Sequence, residues 1–134
     1  MRWVVEYYEQ ADTIQPAEDF EISLVRHHKK LGAKLRSIAA AIEVYGPQLG
    51  GGLIEPCHEY KGLWEIRTIF NGFLGRELFG FDGGQNRVVL LHGYVKRVGQ
   101  PASIADLNQA FSYWKDYQRT HKISPEVLER EEQS

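Results

Sequence analysis

The dipeptide Asn71-Gly72, set between residues 63–70 and 73–81, constrains this chain more than any other feature. Asn-Gly favours a two-residue type I′ turn, because both central residues must take a positive φ and the turn then matches the twist of paired strands. The flanking runs are rich in aromatic and β-branched residues and predict a hairpin. With a two-residue loop, Phe70 faces Phe73 and Arg67 lies opposite Arg76. The period of two puts Trp64, Ile66, Thr68, Phe70, Phe73, Gly75, Glu77, Phe79 and Phe81 on one mostly apolar face. Glu65, Arg67, Ile69, Leu74, Arg76 and Leu78 fall on the other.

Around this hairpin the period changes twice. Residues 3–8 and 87–95 read as further strands, the latter reached through Asp82-Gly83-Gly84-Gln85-Asn86. Between the first strand and the hairpin, Pro16, Glu18 and Asp19 open a helical pattern with Phe20, Leu24, His28 and Leu31 on one face. Leu35, Ile38, Ile42 and Tyr45 continue it, and Gly32 is either a joint between two helices or a residue inside one. Gly46-Pro47 ends the helical stretch. Ser103, with Asp106 three residues on, starts a last helix whose face holds Ile104, Leu107, Phe111, Trp114 and Gln118. The order strand, helix, helix, three strands, helix predicts an α+β fold: a small antiparallel sheet with the two N-terminal helices on one face and a C-terminal helix.

The chain has 134 residues, enough for one compact domain and one core, and 43% hydrophobic with 25% charged residues is the composition of a folded globular chain. No run is long and apolar enough to span a bilayer, and Glu6 follows Met1 too closely for a secretory leader, so a cytoplasmic protein is expected. The formal charge is −2, but residues 124–134 carry four Glu against one Arg, which leaves residues 1–123 near +1. The expected organisation is one domain over 1–123 and an acidic tail over 124–134, where Ser124-Pro125-Glu126 resembles a short helix start.

Two arginines directly opposite each other repel. An anion between them removes that penalty, and two guanidinium forks converging on one spot suit a phosphate oxygen. An ordinary ion pair with Glu65 is the alternative. If the next strand keeps Val89, Leu91, Gly93 and Val95 on the core face, then Val88, Leu90, His92 and Tyr94 share the face of the arginines, with Lys96 and Arg97 at the strand end. Such a set holds a proton acceptor, cations for developing phosphorane charge and a donor to a leaving oxygen, the types needed to cut RNA at a 2′-hydroxyl. Tyr94 could stack on a base; packing roles for His92 and Tyr94 stay open beside these. Gly50-Gly51-Gly52 lacks the Lys-Ser or Lys-Thr of a phosphate loop. The single Cys57, beside His58, reads as structural, and with His27, His28 and His121 it shows no metal-ligand spacing, so neither metal nor cofactor is expected.

The strings Gly62-Leu63-Trp64-Glu65-Ile66-Arg67 and Val89-Leu90-Leu91-His92-Gly93-Tyr94-Val95-Lys96-Arg97, with Arg76 between them and Ala110 and Lys115-Asp116-Tyr117 after them, resemble the HigB-like, phage-derived branch of the RelE/ParE toxin superfamily. The resemblance covers roughly residues 1–120. It implies the toxin half of a type II toxin–antitoxin pair: an endoribonuclease that cuts messenger RNA on the ribosome without metal and is neutralised by a small antitoxin, a helix-turn-helix protein. The ParE branch instead poisons DNA gyrase, and a silent relative would only bind its antitoxin. Carried over by position, the family's strand arginines fall on Arg67 and Arg76 and its strand-end His and basic pair on His92, Lys96 and Arg97; the expected catalytic set is Arg67, Arg76, His92 and Lys96, with Lys61, Tyr94 and Arg97 expected to contact RNA. Where such toxins carry lysines before the first string, this chain has Cys57-His58-Glu59-Tyr60-Lys61, with Lys61 alone clearly basic.

Overall fold

The computed structural model describes residues 2–11 and 13–121; the acidic tail and its helix start at Ser124 lie outside them. The fold is α+β: β1 (Val4–Tyr7), α1 (Pro16–His27), α2 (Lys29–Tyr45), β2 (Ile54–Pro56), β3 (Trp64–Phe70), β4 (Phe73–Asp82), β5 (Arg87–Arg97) and α3 (Ile104–Thr120). The strands form one sheet in the order β1-β5-β4-β3-β2.

This sheet is mixed, which corrects the antiparallel expectation. β2 to β5 form an antiparallel meander, while β1 adds to the free edge of β5 in parallel, Val4 opposite Arg87 and Tyr7 opposite Leu90. A hydrophobic period fixes which face a residue takes and carries no information on strand direction. β2 went unforeseen because it is three residues long and ends in proline, which suits an edge strand lacking a partner on one side.

In the β3–β4 hairpin every pair from Trp64↔Phe79 to Phe70↔Phe73 follows the two-residue-turn arithmetic. Asn71 and Gly72 have φ of 52° and 81°, as that turn requires. The α1/α2 pair covers the expected apolar face: Leu24, Leu31, Leu35, Ile38 and Ile42 pack on Ile66, Phe79, Val88 and Leu90. Tyr45, expected on the same stripe, is exposed. The helices part at His28, while Gly32 lies inside α2, where a Cβ would stand 2.7 Å from Val25 Cγ2. Hydrogen at that position lets the two helices cross closely.

The opposite face is a second core. Leu107, Ala110, Trp114 and Tyr117 of α3 pack against Leu78, Val89, Leu91 and Tyr94. The buried stripe of α3 therefore excludes Ile104, which is exposed, and Gln118. Ser103 caps this helix as expected, its Oγ accepting from the Asp106 N–H.

The expected β5 register fails at one residue. Leu78 pairs with His92 and Phe79 with Leu90, so Leu91 is a bulge and the alternation inverts across it. Val88 and Leu90 face α1/α2, Val89 and Leu91 face α3, and past the bulge Gly93 and Val95 return to the α1/α2 side as expected. A Cβ on Gly93 would lie 2.2 Å from the Phe20 ring. Gly93→Val should therefore displace Phe20 and destabilise the fold by about 1–3 kcal/mol. Urea unfolding should show a lower midpoint at unchanged slope; an unmoved midpoint refutes this account of the α1 contact.

Among the described residues, no helix is long and apolar enough to cross a membrane.

Candidate anion-binding site

The hairpin places Arg67 and Arg76 opposite one another, and β5 adds Tyr94 opposite Arg76. Their guanidinium groups part company, because β4 is central and β3 lies next to the short edge strand β2. Arg76 is 5% exposed and fully engaged. Its Nε donates to Glu65, its Nη1 to Tyr94 Oη at 2.8 Å, and its Nη2 to Glu59 Oε2 at 3.0 Å, with Cys57 Sγ at 3.8 Å. Arg67 is about half exposed and reaches across to Glu55, Nη1 to Oε1 at 3.1 Å. The repulsion between facing arginines is thus relieved by carboxylates of the chain itself.

Burial opposes ionisation of Arg76, and its bonds to Glu65, Tyr94 and Glu59 outweigh that, holding its pKa above the usual guanidinium range. Burial raises Glu65 above the ordinary carboxylate value, and Arg76 only partly counters it. Glu59 is less enclosed, so Arg76 prevails over its desolvation and its pKa falls. Cys57 is buried, and desolvation raises its thiol pKa, consistent with a structural cysteine.

One small cavity, about 170 Å³, draws several of these groups together: Arg67, Arg76 and Lys96 line it with His58, Glu59 and Glu65. Three cations face two carboxylates there. Lys96 Nζ donates to the Gln100 carbonyl at 2.6 Å, so this cation is anchored by the turn after β5.

The other expected site residues lie elsewhere. His92 does not line the cavity. Its Nε2 stands 2.7 Å from Asp106 Oδ1, and Asp106 Oδ2 accepts from Ser103 Oγ at 2.5 Å, which ties β5 to the first turn of α3. The remaining ring nitrogen, Nδ1, is buried without a partner. Tyr94 is 8% exposed with its hydroxyl on Arg76, so its ring is not open to a base. The reason is the α3 cover, which the strand pattern alone does not reveal. Arg97 falls on the opposite side of β5, its guanidinium 5.4 Å from the Phe73 ring centroid. Lys61 is exposed in the β2–β3 loop, outside the cavity lining.

The sequence reading offered Glu65 only as an alternative ion-pair partner and Asp106 only as part of a helix start, and it gave Glu55 and Glu59 no role. One of them had a signal: Glu65 opposes Leu78, which makes Arg76, two residues from Leu78, its diagonal neighbour across the hairpin. Among the described residues, no group of three or more His, Cys, Asp or Glu side chains is placed to hold a metal ion. In comparisons with known proteins, the chain matches no protein-family model and no curated sequence.

Proposed function

We propose that this chain is a RelE/HigB-like toxin of a type II toxin–antitoxin module, acting in the cytoplasm as a ribosome-dependent endoribonuclease on messenger RNA without a metal cofactor. The observation that carries this reading is the convergence of Arg67, Arg76 and Lys96 on one small cavity. Cations fixed around a concave site stabilise the charge that grows on a phosphodiester as a 2′-hydroxyl attacks phosphorus and the 5′-oxygen leaves. Arg76 is the fixed member, held by its buried partners, while Arg67, paired with Glu55, and Lys96, bound to the Gln100 carbonyl, lie nearer the surface and would exchange those partners for the phosphate. The imidazole that lines this cavity is His58, so proton transfer falls to His58 or Lys96 in this geometry, and His92 acts as an anchor for α3. A small antitoxin, a helix-turn-helix protein, neutralises the toxin by covering the cationic cavity.

Induction of the wild type in growing cells should stop incorporation of labelled amino acids. The double variant Arg67→Ala with Lys96→Ala should restore it, because the loss of two transition-state cations lowers cleavage by about 100-fold or more. Both positions are outside the buried cores, so the variant keeps the fold. Equal arrest in both proteins, or none with the wild type, overturns the reading. A second reading, a silent relative that only binds antitoxin, is favoured by the engagement of Arg76 with its own carboxylates. It predicts antitoxin binding with translation untouched.

A further inference from the structure

A separate concavity of about 650 Å³ runs along the outer side of α3. Its volume suits one small ligand or one nucleotide. Its walls include Tyr8, Tyr60, Phe111 and Tyr113, and its cations are Lys115 and Arg119.

The rings form two stacked pairs: Tyr8 with Tyr113, centroids 4.9 Å apart, and Tyr60 with Phe111 at 4.5 Å. Both pairs are pinned. Tyr8 Oη donates to Asp116 Oδ2 at 2.5 Å, and Tyr60 Oη donates to Asn108. Lys115 Nζ stands 4.6 Å from the Phe111 centroid, and Arg119 pairs with Asp116. Ordered rings have already lost their rotamer freedom, so a flat ligand that extends either stack meets a preorganised surface. Aromatic platforms beside lysine and arginine are the elements by which proteins hold single-stranded nucleic acid, the bases on the rings and the backbone on the cations. Asn108 and Gln109, both exposed at this cleft, add amide donors and acceptors suited to base edges.

The cleft adjoins the cationic cavity through a single loop. His58 and Glu59 line the cavity, and the next residue, Tyr60, lines the cleft. Neighbouring residues of one loop thus line both concavities.

We propose that the aromatic cleft between α3 and Tyr60 is a base-binding subsite for single-stranded RNA, holding an unpaired base beside the phosphate in the cationic cavity. This rests on the RNA reading given above. It moves the stacking role expected of Tyr94 to Tyr60 and its ring partner. Duplex RNA is excluded, since its bases are stacked on one another and their faces are hidden.

The test is equilibrium binding of a labelled single-stranded hexaribonucleotide to the full chain at about 0.1 M salt, beside a hairpin of the same composition. Tyr60→Leu should weaken hexamer binding about 10-fold. Tyr60→Phe, which keeps the ring and loses only the bond to Asn108, should bind as the wild type does. Wild-type binding left unchanged by Tyr60→Leu, or equal affinity for the hairpin, overturns the subsite while the RNA reading stands. Absence of wild-type binding to either RNA overturns the subsite, while the RNA reading stands or falls on the translation assay. If Tyr60→Leu spares RNA binding and instead abolishes capture of the antitoxin, the cleft is a protein-docking surface and the proposal fails.

Discussion

Arg76→Ala should lower the stability of the fold by about 3–5 kcal/mol, the range for removing one partner of a buried ion pair. The arginine and Glu65 are 5% and 2% exposed. With Arg76 gone, Glu65 keeps its desolvation and loses its counter-charge, and the Tyr94 hydroxyl and Glu59 lose a donor. The sign of the accompanying pH effect follows from Glu65. Its pKa in the folded chain is already raised by burial and rises further in the variant, so the variant is least destabilised below the ordinary carboxylate range and loses stability as the pH rises through the folded value. Urea unfolding of the purified variant at two pH values measures both effects. Arg76→Met combined with Glu65→Leu should recover most of the loss, since an apolar pair of similar volume carries no desolvation penalty. A single variant as stable as the wild type would show that these groups are solvated. The size of the expected effect also bears on the proposal: a loss of activity in Arg76→Ala would report on folding, which is why Arg67 and Lys96 are the better probes of the proposed phosphate site.

Glu77→Gln should make the protein more stable than the wild type in neutral and alkaline solution, and should flatten its stability against pH. Glu77 is completely buried on β4, both of its oxygens lack a partner, and its neighbour across the α1 interface is Glu21, itself 2% exposed. Glu21 Oε1 accepts from Tyr7 Oη at 2.8 Å, and Arg36 Nε from α2 stands 3.6 Å from the same oxygen. Burial first, and the Glu21 charge second, raise the Glu77 pKa well above its ordinary 4.5, with Arg36 a partial counterweight. Burial thus favours the neutral acid at Glu77. The stability gained by this arrangement is fully present below about pH 4.5 and is lost as the pH rises through the folded value, with a slope of up to about 1.4 kcal/mol per pH unit. Tyr7 faces the same pair, and burial and Glu21 raise its phenol above the usual range, so it stays a donor across this window. Glutamine keeps the shape and the donor without ionising. Melting temperatures of the two proteins between pH 5 and pH 9 should diverge steadily; parallel curves refute a raised pKa at Glu77.

Some of this architecture was legible in the residues and some was not, for identifiable reasons. The β3–β4 register follows from Asn71-Gly72 because a two-residue turn leaves no freedom in pairing, and it delivers the facing arginines correctly. The β4–β5 register does not follow, because Val88-Val89-Leu90-Leu91 is apolar throughout and reads identically with or without a bulge. Both faces of the sheet are cores, so alternation there carries no inside and outside. The cap at Ser103 was readable, since its chemistry is local; the face on which α3 docks was not, since it depends on contacts distant in sequence. The same division holds in the site. Residue types indicated a cationic locus, and Arg67, Arg76 and Lys96 do meet at one cavity. Of the carboxylates that complete it, Glu65 follows from the diagonal contact in the hairpin register, whereas Glu59 sits in the β2–β3 loop, which no periodic pattern covers.

The parallel pairing of β1 with β5 sets a timetable for biogenesis. β1 emerges from the ribosome ahead of every other strand of this sheet, and its partner is made last. Until β5 arrives, a nascent chain displays Trp3, Val5 and Tyr7 on an extended segment with open backbone groups, the kind of edge to which other chains add. The helical pair can form locally during translation, whereas closure of the sheet waits for β5. Between the two, the β1 edge stands open to pairing with other chains.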